Sequence, residues 1–216
     1  MKDHTSVFTI LTGVAMLCGF AIALVYQATA EQIAHNRTAR LEEAVARVLP
    51  GGVTRFQGYR AAGAGIAPAG IDQAAFIAGY DSNGAFTGVA VPVSIMGYQD
   101  TIGMLLGYDP QQQQLTGFAV LESRETPGLG AKIATDPAFL ASLGALDVTL
   151  AGAALANPVV LSRGIERRPH EVDGITGATV SSSAVVRAVN NAAPDFAAIR
   201  ARLGVLLRTT ENRDAG

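Results

Sequence analysis

Thiols, imidazoles, indoles and charge are all scarce in this sequence. Of 216 residues, one is cysteine, three are histidine and none is tryptophan. A single thiol excludes a disulfide framework and any site built from several thiolates, cysteine-ligated iron–sulfur clusters included. His170 and Glu171 begin a metal-like cluster, but the second histidine of an H-E-x-x-H zinc site is missing, and only His4 and His35 stand elsewhere. Metal ligands are therefore not expected. Aromatics at 6% argue against a stacking platform for carbohydrate or single-stranded nucleic acid. Charged residues make up 16%, against roughly 25% in an ordinary soluble domain. The 16 basic and 18 acidic residues leave a net charge of −2. No cationic face is available to neutralise phosphates, so nucleic acid is excluded as a partner. Neither G-x-S-x-G nor S-x-x-K occurs, which removes two common nucleophile settings.

What the sequence does have is one long apolar run. Residues 7–26 read VFTILTGVAMLCGFAIALVY, and a bilayer core about 30 Å thick needs roughly 20 such residues as a helix. Cys18 lies inside the run and so says nothing about redox compartment. Tyr26 and Gln27 mark an interfacial exit. A cleaved signal peptide is the rival reading, because Ala28-Thr29-Ala30 has the A-x-A form and Lys2 could serve as the basic n-region. The run exceeds the roughly 7–15 residues of a signal h-region, which favours a retained anchor. Lys2 precedes the run, while Arg37, Arg40 and Arg47 follow it among Glu31, Glu42 and Glu43, so basic residues alone leave the orientation open.

Beyond the run, residues 28–49 carry Ile33, Leu41, Val45, Val48 and Leu49 near helical spacing, and Pro50-Gly51-Gly52 ends that helix. Residues 58–70, rich in Ala and Gly, give no clear element. Residues 74–80, 86–96, 101–108 and 115–122 read as strands. Asp81-Ser82-Asn83-Gly84 and Asp109-Pro110 supply turns between them, so the strands should pair antiparallel. Pro92 points to an edge or a bulge. Short strands are expected at 148–150 and 159–161. Helices are expected over 138–146, from about Ser181 to Asn190, and over 195–207. The class is α+β, an antiparallel sheet flanked by helices.

Two segments carry the chemistry. In the first, Glu125-Thr126-Pro127-Gly128-Leu129-Gly130 leads to Lys132; the proline forces a turn, and the glycines let backbone amides approach a ligand. A solvated turn accounts for this segment taken alone. It is not a P-loop, since no glycine precedes Lys132 and Ile133 replaces the required hydroxyl residue. The second is Asp173-Gly174-Ile175-Thr176-Gly177-Ala178-Thr179-Val180-Ser181, directly before a helix. Unpaired amides and the helix dipole favour a phosphate there. Ser181 to Ser183 could act as simple helix caps, but capping needs one hydroxyl and leaves Thr176 to Thr179 without a purpose.

Together, ETPGLGAK and DGITGATVSSSAV resemble the FMN-binding domain shared by the G subunit of the Rnf electron-transport complex and the C subunit of the sodium-pumping NADH:quinone oxidoreductase. That family's motif is D-x-x-[ST]-G-A-[TS], and Asp173, Thr176, Gly177, Ala178 and Thr179 fill every place. The resemblance implies covalent FMN, joined by a phosphoester to Thr179. It places the isoalloxazine ring beside Glu125, Thr126, Pro127, Gly128, Leu129 and Gly130, with Gly174 and Ser181 also at the cofactor and Lys132 near the ring. It further implies a flavin transferase that modifies the domain in trans, splitting FAD and releasing AMP, since this sequence offers no carboxylate cluster to hold the metal such a reaction needs. The implied role is electron relay within an ion-translocating ferredoxin/NAD complex of the inner membrane, alongside other Rnf-type subunits. The flavin domain is expected on the periplasmic side of a single-pass anchor. The shorter length favours the Rnf protein over its quinone-reductase relative. A non-redox ligand-binding or scaffold domain is the alternative class. The expected organisation is a short cytoplasmic N-terminus (1–6), a transmembrane anchor (7–27), a linker helix (28–52), the FMN-binding domain (53–207) and a flexible tail (208–216).

Overall fold

One unbroken helix, α1 (Lys2–Val48), contains both the apolar run and most of the linker expected after it. The computed structural model describes residues 2–62, 65–162 and 167–202, with Gly204 and Leu207; the tail expected over 208–216 lies outside them. Phe8, Leu11, Met16, Leu17, Phe20, Ile22 and Tyr26 of α1 are all exposed. The stretch Ile10–Val48 holds a window of mean hydropathy 2.0 with none of it buried. It is long and apolar enough to cross a bilayer.

The chain divides into two units, Met1–Arg40 and Leu41–Gly216. The second unit begins inside α1. The reason is packing: Ala44, Val45, Val48 and Leu49 form a buried cluster with Ile77, Ala90, Leu105 and Ala119 of the sheet.

That sheet has seven strands: β1 (Arg55–Ala62), β2 (Gly65–Ala69), β3 (Phe76–Tyr80), β4 (Phe86–Met96), β5 (Thr101–Asp109), β6 (Gln114–Glu122) and β7 (Leu146–Asp147). The order is β2-β1-β3-β4-β5-β6-β7, and every neighbouring pair is antiparallel. Aspartates close the turns. The Asp81 carboxylate accepts from the amides of Asn83 and Ala85, both at 2.8 Å, and that of Asp109 accepts from Gln111 at 2.7 Å. Pro92 is tolerated because the β3 ladder stops at Ala90, leaving β4 with one partner strand there.

Side chains alternate between two covered faces. Ala78, Val89, Val91, Met104, Leu106, Tyr108 and Phe118 point to the main core, while Ile77, Ala90, Leu105 and Ala119 point to the α1 side. Burial on both faces explains why these strands read as continuous apolar runs. On the α1 side the helix end comes down almost onto the strands: a Cβ on Gly107 would stand 2.1 Å from the Val48 carbonyl oxygen, and one on Gly117 2.8 Å from Val48 Cα. Thr116 Oγ1 donates to that carbonyl at 2.7 Å, satisfying one of the acceptors a helix end leaves open.

The main core is capped by α2 (Pro137–Leu143), α3 (Thr179–Asn191) and α4 (Ala193–Ala201). Phe196 of α4 stacks on Tyr108, centroids 4.4 Å apart. Burial pushes the Tyr108 phenol up to about 12. Two-residue strands β8 (Leu150–Ala151), β9 (Ala154–Leu155), β10 (Val160–Leu161) and β11 (Glu171–Val172) connect the helices.

Three sequence expectations are corrected. Within the stretch 58–70, Gly58–Ala62 of β1 pair with Gly65–Ala69 of β2, and Tyr59 anchors them by stacking on Phe76 at 5.5 Å. The helix expected over 138–146 ends at Leu143, because Leu146 pairs with Leu115 in the sheet. Helix α3 begins at Thr179, two residues before its expected start.

Candidate functional site

The second motif reaches α3 through a short parallel pair. Strand β11 pairs with β10 in the register Val160↔Glu171 and Leu161↔Val172, and it delivers Asp173 to the surface. The Asp173 amide donates to Ser142 Oγ at 3.1 Å, and that hydroxyl donates to the Phe139 carbonyl at 2.7 Å. The start of the loop is thus tied to α2. Beyond it the Ala178 amide donates to the Ile175 carbonyl at 3.0 Å, and Gly177 takes φ +82, a conformation that a Cβ would strain. Asp173 is half-buried, Ile175 and Ala178 are buried, and Gly174, Thr176, Gly177 and Thr179 are exposed.

Ala178 is the N-cap of α3, and no side chain caps the helix. The three serines read as possible caps lie inside the helix, and two of them are engaged elsewhere. Ser182 Oγ accepts from the Ile175 amide at 3.3 Å, and Ser181 Oγ donates to Glu125 Oε2. The helix therefore presents its first amides uncapped, with the exposed Thr179 as its first residue. Such an end favours a phosphate through its unpaired N–H groups and its dipole.

The first motif lies against the same helix end. Leu129, exposed at the loop tip, has Cδ2 at 3.4 Å from where a Cβ on Gly177 would be. Pro127, Gly128 and Lys132 are exposed, Thr126 is half-buried and Gly130 is buried. The loop turns through amides of Leu129 and Ala131 that both donate to the Thr126 carbonyl at 3.2 Å. Thr126 Oγ1 donates to Gln99 Oε1 at 3.3 Å.

Glu125 is the acidic side chain of this loop, and it turns inward. It is buried, and its Oε1 accepts from the amides of Tyr98 at 3.0 Å and Gln99 at 2.9 Å. Burial alone would raise its carboxyl, but hydrogen bonds from Ser181 and the backbone of the 98–100 turn outweigh that and hold it below the usual carboxylate value. The turn at 97–100 leaves no signal in the sequence. It carries no motif, and it joins the site only through the distant Glu125. Around the helix end Tyr98, Met96, Leu129 and Val180 remain exposed, a set of apolar side chains available to a flat ring. A separate depression of about 410 Å³, lined by Leu150, Gly152, Ala197, Arg200 and Ala201, contains none of these residues.

The α+β domain thus brings an uncapped helix end, an exposed threonine and the exposed side chain of Leu129 together, a combination that suits a phosphate. Residues 97–194 match the FMN-binding domain family. The chain is 30% identical over 191 residues to the G subunit of the ion-translocating oxidoreductase complex of Methanosarcina acetivorans, covering 88% of this chain and 93% of that protein. Over 111 residues it is 31% identical to the G subunit of the Na(+)-translocating ferredoxin:NAD(+) oxidoreductase complex of Acetobacterium woodii, covering 50% and 49%. The crystal structure of the C subunit of the Na(+)-translocating NADH-quinone reductase from Parabacteroides distasonis shares the fold. The TM-score is 0.58 at 15% identity, covering 76% of this chain and 94% of that one. The chain belongs to the family of G subunits of ion-translocating oxidoreductase complexes.

Proposed function

We propose that this chain is a membrane-anchored flavin subunit that relays electrons between ferredoxin and NAD within an ion-translocating complex, with FMN joined to Thr179 through a phosphoester. The observation that carries this reading is the placement of Thr179: an exposed aliphatic hydroxyl at the first position of α3, beside amides that no side chain caps. A phosphate esterified there lies in the field of the helix N-terminus. Asp173, Gly174, Thr176, Gly177 and Ala178 shape the turn beneath it. Thr126, Pro127, Gly128 and Leu129 would flank the ring, and Lys132, exposed nearby, would balance negative charge. The flavin, when bound, supplies the redox chemistry, and the protein supplies position and surroundings.

Maturation requires a separate flavin transferase. The Thr179 oxygen displaces AMP from the flavin-side phosphate of FAD and gives up its proton. The exposed apolar residues of α1 form a single-pass anchor in the inner membrane, with the flavin domain on the periplasmic side and other Rnf-type subunits around it. The test is co-expression of the full chain with a flavin transferase, followed by a denaturing gel viewed under ultraviolet light. A fluorescent band is expected from wild type and none from Thr179→Val. A band that persists in the variant would falsify the assignment of Thr179, and no band from wild type would return the domain to a non-covalent binding role.

A further inference from the structure

By family resemblance Glu125 belongs against the flavin, yet its carboxylate is committed inside the protein. It is 5% exposed, and both oxygens already have partners: the Tyr98 and Gln99 amides on Oε1 and the Ser181 hydroxyl on Oε2. The space around it is closed as well. A Cβ on Gly97 would stand 2.6 Å from Oε1, and one on Gly130 would stand 2.5 Å from Oε2 and 2.6 Å from Ser181 Oγ. Gly130 is therefore small for the sake of this carboxylate. Backbone N–H groups can only donate, so Oε1 must act as an acceptor.

The three tied segments matter because of what stands beside them. Ser181 lies two residues after Thr179 in the first turn of α3. Tyr98 and Gln99 lie in the turn after β4, and Gln99 also receives the Thr126 hydroxyl. We propose that Glu125 is a positioning residue: it locks the 97–100 turn to the first turn of α3, fixing the two walls of the flavin site relative to each other without touching the flavin. The inference rests on the reading of Thr179 as the attachment site.

The test uses the full chain in detergent, with and without co-expressed flavin transferase, as wild type, Glu125→Ala, Glu125→Gln and Ser181→Ala. Two signals are read: hydrogen exchange over residues 97–100 in the unloaded chain, and the visible circular dichroism and midpoint potential of the loaded one. Glu125→Ala is expected to speed exchange at Tyr98 and Gln99 by about tenfold or more and to change the flavin dichroism. Glu125→Gln keeps a carbonyl acceptor for both amides and offers an amide donor to Ser181 Oγ, so it should restore protection, dichroism and potential together. Ser181→Ala should move the dichroism in the same direction as Glu125→Ala, by less. Unchanged exchange in Glu125→Ala overturns the anchoring role. Restored exchange in Glu125→Gln with a potential still shifted shows the carboxylate acting on the flavin directly, and overturns the proposal equally. Failure of the attachment reading is separable, since it shows as a wild-type chain with no fluorescent band.

Discussion

Around Glu125 each oxygen of the carboxylate meets a donor from within the protein, whereas around Thr179 the first amides of α3 and the adjoining hydroxyl face outward with no side-chain cap. Glu125 opens one glycine-containing loop and Thr179 directly follows another, and the two loops meet at one helix end. Their polar groups are used in opposite ways. A buried polar group is costly unless it is paired, and the 125 region follows that rule closely. An exposed helix end without a cap forgoes about 1 kcal/mol that a single serine or aspartate at the N-cap would supply. Ala178 occupies that position instead. On the proposed function the contrast separates scaffold from ligand site: completed hydrogen bonds mark the first, and open donors mark the second.

The contrast is broken most completely at Thr179. Thr179→Val should abolish covalent flavin while changing stability by no more than about 0.5 kcal/mol, as expected for an exposed residue at a helix start. Thr179→Ser should keep the flavin. Thermal unfolding of the unloaded chains, run beside the fluorescence gel, checks both halves. A large loss of stability in Thr179→Val would mean that the threonine is scaffold after all.

Glu125→Ala should behave in the opposite sense. Removing the carboxylate leaves the Tyr98 and Gln99 amides without their acceptor, and losing such bonds costs on the order of 2–4 kcal/mol in total. Urea unfolding of the unloaded chain measures it. A cost below about 0.5 kcal/mol would place Glu125 among ordinary surface residues and erase the distinction between the two loops.

Two glycines of the first loop sharpen the comparison further. Gly130→Ala puts a methyl group between Glu125 and Ser181, both pinned, and should cost about 1–3 kcal/mol as overpacking. Gly128 has nothing within 4 Å of its missing Cβ but sits at φ +73, so Gly128→Ala meets only backbone strain of about 1 kcal/mol. The ranking should reverse if Gly130 serves an external ligand and has no internal role.

The sequence shows this division unevenly. The strands at 86–96, 101–108 and 115–122 were readable because apolar runs between Asp-centred turns leave few alternatives. The β1–β2 hairpin was not, since Ala and Gly give no alternation; Tyr59 organises it by stacking on Phe76, a contact made only once β3 is in place. The motif around Thr179 stands out in the sequence, but α3 starts two residues earlier than the three serines, which resemble caps, suggest. Two of those hydroxyls, Ser181 and Ser182, instead serve Glu125 and Ile175. The role of Glu125 had no local signal. Its partners stand 26, 27 and 56 residues away, and glutamate in a glycine turn is ordinarily solvated.

Acid is the gentlest way to separate the two loops. Because hydrogen bonds hold the folded-state pKa of Glu125 below its ordinary value, the ionised group stabilises the fold. That contribution is complete above the unfolded value, near 4.3 for a free glutamate, and is lost as pH falls through the lowered folded value. Asp195 shifts the other way, raised by burial, but it is common to wild type and Glu125→Gln and cancels in their difference. The stability advantage of wild type over Glu125→Gln should therefore stay constant from pH 7 to about 5 and shrink below about 4. The gap between wild type and Thr179→Val should show no such dependence, since that threonine carries no titrating group. Urea titrations at pH 7, 5, 4 and 3 decide the matter. A wild-type advantage over Glu125→Gln that holds level down to pH 3 would show that the carboxylate is not held ionised by the fold.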